Sequence, residues 1–102
     1  MTEDLKKRNN AITAFMGGLS YLREKHFQDL MDAEFELIGI EDLKFHSSWD
    51  WLIPVWSKVR FELSPGMVIS AISFIDENKI EDLHRLLSQV CINWCVIKQI
   101  KL

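Results

Sequence analysis

The chain has 102 residues, of which 48% are hydrophobic, 26% charged and 11% aromatic. That length predicts one domain over residues 1–102, and that composition excludes disorder, collagen-like repeats and a coiled-coil rod. Twelve Lys and Arg against fifteen Asp and Glu leave a net charge of −3, which argues against a bulk electrostatic grip on nucleic acid.

Residues 2–16 read as an amphipathic helix. Thr2 is placed to cap it, and Glu3 and Asp4 stand at the positive end of its dipole. Leu5, Ile12, Phe15, Met16 and then Leu19 fall at helical spacing. Gly17-Gly18 supplies the stop, because glycine takes the left-handed conformation that a C-terminus needs. Leu19 to Asp32 fits a helix better than a strand. Glu34 to Ile40 alternates charged and apolar residues, which predicts a half-buried strand with Gly39 as a bulge.

Ser47 and Asp50 have the spacing of a capping box, so a helix is expected from Ser47 to about Arg60. Trp49, Leu52, Ile53, Trp56 and Val59 share its apolar face. Trp51 lies off that face. Exposed, it is a natural binding anchor; otherwise it is buried beneath the sheet or the preceding chain. The Ser64-Pro65-Gly66 turn then separates Phe61–Leu63 from Met67–Phe74, and the β-branched residues of the second run predict a hairpin-like strand pair. Asp76 is expected to cap a long last helix. There Ile80, Leu83, Leu87, Val90, Trp94 and Ile97 step by three and four. The order predicts a small α+β domain, a short antiparallel sheet covered by helices.

Chemistry-bearing motifs are sparse. The uncharged run Leu63–Ile75 is short and broken by Pro65 and Gly66, so no membrane span is expected. The polar start lacks the apolar core of a signal peptide, and Cys91 and Cys95 sit one helical turn apart, where a disulfide would strain the helix. They read as packed thiols in a reducing cytoplasm, with no metal and no cofactor. His26, His46 and His84 are scattered. His46 with Ser47, Ser48 and Asp50 superficially suggests a hydrolase triad, but no nucleophile elbow accompanies them, so no catalytic residue is assigned. The glycines form no phosphate loop.

Charge is the strongest signal. Between His26 and Leu43 stand Asp29, Asp32, Glu34, Glu36, Glu41 and Asp42, with no Lys or Arg among them. The bland reading is a solvated face. The functional one is an acidic surface that imitates a phosphate backbone and enters a basic groove on a partner. These six carboxylates and Trp51 are the expected partner-binding residues.

One run is distinctive: Leu43-Lys44-Phe45-His46-Ser47-Ser48-Trp49-Asp50-Trp51-Leu52-Ile53-Pro54-Val55. It resembles a signature of small proteins from bacteriophage and prophage regions, which carry a run similar to "YHSSWDWLMPV" after a helix ending in "FMG". Ala14-Phe15-Met16-Gly17 is similar to that ending, and Asn93-Trp94 to an aromatic pair in their last helix. The resemblance covers about half the chain and departs from it in the acidic stretch. It implies phage origin and a small α+β fold, and it transfers no catalytic residue. Phage accessory proteins of this size commonly antagonise host defences, and anti-CRISPR proteins are one class of them. The expected function is therefore a non-enzymatic inhibitor that binds a host protein, such as an RNA-guided Cas nuclease, without contacting nucleic acid directly. A homodimer is compatible with so small a core. The alternative is a small-ligand or nucleotide-binding module that sequesters a defence signal, with Trp51, His46 and Asp50 lining its pocket.

Overall fold

The structure is a computed structural model that describes residues 3–25 and 43–100. Every regular element among them is helical: α1 (Glu3–Met16), α2 (Leu19–Lys25), α3 (Trp49–Val59), a 3₁₀ turn (Arg60–Glu62), α4 (Pro65–Asp76) and α5 (Ile80–Ile97). The expected α+β architecture with its antiparallel sheet is therefore replaced, in the described residues, by a helical bundle. The strand expected at 34–40, and the part of the expected second helix beyond residue 25, lie outside the described residues.

The expected strand pair fails for an identifiable reason. Ser64-Pro65 is a helix start here, not a hairpin turn. The Ser64 hydroxyl accepts the Met67 backbone N–H at 3.4 Å. Pro65 occupies the first turn, where its missing N–H costs nothing and its fixed φ is already helical. Phe61 falls in the 3₁₀ turn, and Met67–Phe74 becomes the body of α4. β-branched propensity is weak against a good cap and a helical neighbour to pack on.

Other boundaries follow backbone chemistry too. Gly17 and Gly18 end α1 with φ of 126° and 73°, as the glycine pair predicts. Asp76 closes α4 and does not cap α5, whose N-cap is Lys79. Between them Asn78 adopts φ 58°, so Lys79 N–H reaches the Phe74 carbonyl at 2.8 Å and Asn78 N–H the Ile75 carbonyl at 3.1 Å. That pair of bonds is a Schellman closure, and asparagine is the residue besides glycine that best tolerates it. At the start of α3 the cap is Ser48, without a side-chain bond, so the capping box expected from Ser47 does not form. Pro54 sits inside α3, which ends at Val59 as expected.

α5 is the centre of the bundle, with α1, α3 and α4 packed around it. Asn9 meets His84, Arg8 meets Ser88, Ala11 meets Cys95 and Phe15 meets Trp94. Arg8 and Asn9 meet α5 at 84–88, and Ala11 and Phe15 meet it at 94–95, so α1 and α5 run in the same direction. Small side chains at this seam (Ala11, Ser88, Cys95) allow close approach. The α3 face is rotated from expectation: Trp51, Leu52, Val55 and Val59 are fully buried, whereas Ile53 is exposed. Trp51 therefore is not an exposed anchor. It is a core residue, edge-on to Phe45 with centroids 5.1 Å apart. Trp49 and Trp56, expected on the apolar face, are only half-buried. Along α5, Leu83 and Leu87 are buried as expected, but Ile97 is largely exposed and the stripe drifts to His84, Ser88, Cys91 and Cys95.

Both cysteines are free buried thiols. Burial, and then the neighbouring Cys95, push the Cys91 thiol up to about 12. No helix among the described residues is long and apolar enough to cross a membrane.

Candidate functional site

The described residues hold one unusual polar constellation, where α1, α5 and the turn before α3 converge. α1 carries Asp4, Leu5, Arg8 and Asn9, two pairs one helical turn apart. α5 supplies Glu81, His84, Arg85 and Ser88 in the same way. The turn at 45–47 adds His46.

Asn9 is the hub. It has no exposed surface. Its Nδ2 donates to His46 Nδ1 at 3.0 Å, and its Oδ1 accepts from His84 Nε2 at 2.8 Å. This amide orientation fixes both tautomers: His46 carries its proton on Nε2, and so does His84. The two imidazoles stand edge-to-face with centroids 6.0 Å apart. Burial of an unpaired amide would be costly, so satisfying both ends of Asn9 with rings from two other elements ties three pieces of chain together.

Both rings are held neutral. Burial lowers the His46 pKa below the usual imidazole value. Burial, then the adjacent His46 and Arg8, lower that of His84 to about 4. Arg8 closes one side. Its Nε donates to Asp4 Oδ2 at 2.9 Å, and its Nη1 reaches Ser88 Oγ at 3.0 Å and the Arg85 carbonyl at 3.3 Å. Asp4, Leu5, Arg8, His46, Glu81, His84 and Arg85 line an open hollow of about 240 Å³.

This geometry does not make the hydrolase triad that His46, Ser47, Ser48 and Asp50 suggest. No hydrogen bond among the described residues joins His46 to either serine or to Asp50; its Nδ1 is engaged by an amide, not a carboxylate. The alternative pocket of Trp51, His46 and Asp50 is not assembled either. His46 reaches the hollow, Trp51 is in the core and Asp50 is exposed on α3. Among the described residues no group of three His, Cys, Asp or Glu is placed to hold a metal ion.

Of the expected partner-binding residues, Asp29, Asp32, Glu34, Glu36, Glu41 and Asp42 lie outside the described residues. Asn9, His84, Arg8 and Arg85 were not singled out as a group by sequence. The available signal was a polar residue interrupting an apolar row: Asn9 between Leu5 and Ile12, His84 between Ile80 and Leu87.

No protein-family model matches this chain, and no curated protein and no solved structure matches it either.

Proposed function

We propose that the protein is a docking protein that makes and breaks no covalent bond: a phage-derived antagonist that sets the carboxylates of residues 29–42 against a cationic surface of a host nucleic-acid-processing effector. An RNA-guided Cas nuclease is the type of target whose channel carries that charge. What supports this is the segregation of charge. Six acids stand in residues 26–42 without a cation, against nine acids and twelve bases elsewhere. Several of those bases have partners within the helical frame. Lys6 pairs with Glu3 and Lys79 with Glu77; Arg8 pairs with Asp4. Lys58 donates to the Phe15 carbonyl at 2.8 Å, and Arg60 lies over the Phe61 ring. Segregated charge of this kind raises association rates and rejects partners of like sign.

Affinity capture from host lysate, with and without nuclease treatment, tests the proposal. Recovery of a nucleic-acid-processing protein that survives nuclease treatment is expected. Recovery of nothing, or loss of the partner when nucleic acid is digested, would overturn it.

A second reading is favoured by the hollow at His46 and His84. Its lining sets Arg8 and Arg85 beside two neutral imidazole rings and the carboxylates of Asp4 and Glu81, a mixed set of donors and acceptors that suits a small polar ligand such as a nucleotide. A thermal-shift series against nucleotides separates the two readings, because a ligand specific for the native state raises the melting temperature with concentration.

A further inference from the structure

We infer that the hollow at His46 and His84 recognises a nucleoside by the edge of its base: an amino group donates to His84 Nδ1, and the adjoining ring nitrogen accepts from His46 Nε2. This rests on the polar-ligand reading of the same hollow and says which part of the ligand is read. Asn9 imposes the pattern. Each ring spends one nitrogen on its amide, at 3.0 Å for His46 Nδ1 and 2.8 Å for His84 Nε2. A neutral imidazole has one donor nitrogen and one acceptor. The ring that accepts from the amide therefore carries its proton on the far nitrogen, and the ring that donates to the amide has a bare far nitrogen. Turning the Asn9 amide over exchanges the two roles and still leaves one donor and one acceptor. Neither far nitrogen has a partner among the described residues, although His84 is only 4% exposed. Both rings line the hollow, so an occupant with the complementary pair satisfies groups that are costly to leave unmatched.

Charge and size select the class. The charges of the lining, Asp4 and Glu81 against Arg8 and Arg85, cancel. Arg8 is already engaged by Asp4, Ser88 and the Arg85 carbonyl. A phosphate would find one guanidinium, Arg85, offset by Glu81 one helical turn before it. A charged ligand therefore gains little here, whereas an uncharged one with a donor beside an acceptor is matched. Glu81 discriminates among such ligands. It has no ion pair among the described residues, so its carboxylate is available to a second N–H. An exocyclic amino group has two protons to give, and the imide of uracil has one. Adenine and cytosine combine that amino group with an adjacent ring-nitrogen acceptor. The hollow, about 240 Å³, is smaller than the roughly 300–1,000 Å³ of drug-sized sites, so it takes the base. The sugar lies outward, in an adjoining hollow that shares Arg8 and Arg85 and is bounded by Phe74 and Leu86.

Titration of the full chain with adenosine and with cytidine, followed through the ring-nitrogen NMR resonances of His46 and His84, is the primary measurement. At least one nucleoside should bind with a Kd below about 1 mM and move the His84 Nδ1 resonance. Its analogue with a dimethylated amino group, N6,N6-dimethyladenosine or N4,N4-dimethylcytidine, has no proton to give and should bind at least about tenfold more weakly. Ribose 5-phosphate should cause no shift at the same concentrations. His46→Phe, which keeps a ring but loses the donor, should also weaken nucleoside binding at least about tenfold; the analogues make the same test on the unaltered protein. Equal affinity for a nucleoside and its dimethylated analogue would overturn the inference. So would ribose 5-phosphate binding as tightly as adenosine 5′-phosphate, a result that leaves the polar-ligand reading standing. No response to any nucleoside or nucleotide would overturn both.

Discussion

The α1–α5 seam and the α4 helix break the usual distribution of polarity in opposite directions. At the seam, an asparagine and a histidine are buried where leucines would be ordinary, and Asn9 satisfies both neighbours with bonds of 3.0 and 2.8 Å. On α4, isoleucines stand in solvent on a helix with no charge from Pro65 to Ile75. The first departure sets alignment: a directional polar contact fixes how α1, α5 and the turn before α3 meet, which apolar packing alone leaves free. The second leaves a face whose burial requires another surface. Helices of one small bundle thus divide the work of holding the frame and of presenting it.

Core truncation should expose the contrast most sharply. Trp51→Ala removes a fully buried indole from beside Phe45, and a loss of about 3–5 kcal/mol in urea unfolding is expected. Ile69→Ser, on the exposed face, should change monomer stability by less than about 0.5 kcal/mol. Comparable losses at the two positions would break the distinction.

Acid is the next lever. His84 is lowered to about 4 and His46 is also lowered, so the unfolded chain binds protons that the native chain refuses. Stability is then level above the unfolded imidazole value of about 6.5 and falls as pH drops from there toward 4. The fall of the His84 value from about 6.5 to about 4 corresponds to a loss on the order of 3 kcal/mol on acidification. Denaturation midpoints at pH 7.5 and pH 4.5 measure it. Asn9→Asp should blunt this dependence, since a carboxylate between the rings favours their charged forms.

Removing the hub without replacing its bonds has a somewhat smaller effect. Asn9→Leu leaves the His84 Nε2 proton without its acceptor, which should cost roughly 2 kcal/mol at neutral pH. The smallest change expected is a gain. Gln99 closes α5 at φ 60°, and Gln99→Gly should stabilise by about 0.5–1 kcal/mol in thermal unfolding.

The helical periodicity of residues 3–16 and 80–97 was legible in the sequence, as were the glycine stop and the buried cysteines, because each depends on local pattern. What misled was phase and propensity. Trp49 and Trp51 sit on different faces of α3, and side-chain size gives no means of choosing between them; the choice is made by Phe45, from the turn before the helix. Val68, Ile69 and Ile72 suggested a strand, while the decisive feature was Ser64 followed by Pro65 at a helix N-terminus. The polar hub was illegible for a different reason. Asn9, His46 and His84 are up to 75 positions apart, and only the packing of α1 on α5 brings them together.

Docking through the acidic segment is tested most directly by a salt titration of the captured complex, comparing the parent chain with Glu34→Lys/Glu36→Lys. The parent should lose affinity steeply as salt rises; the double variant should bind more weakly at low salt and respond little, with an unchanged melting temperature. Equal affinity for both proteins across the titration would contradict it.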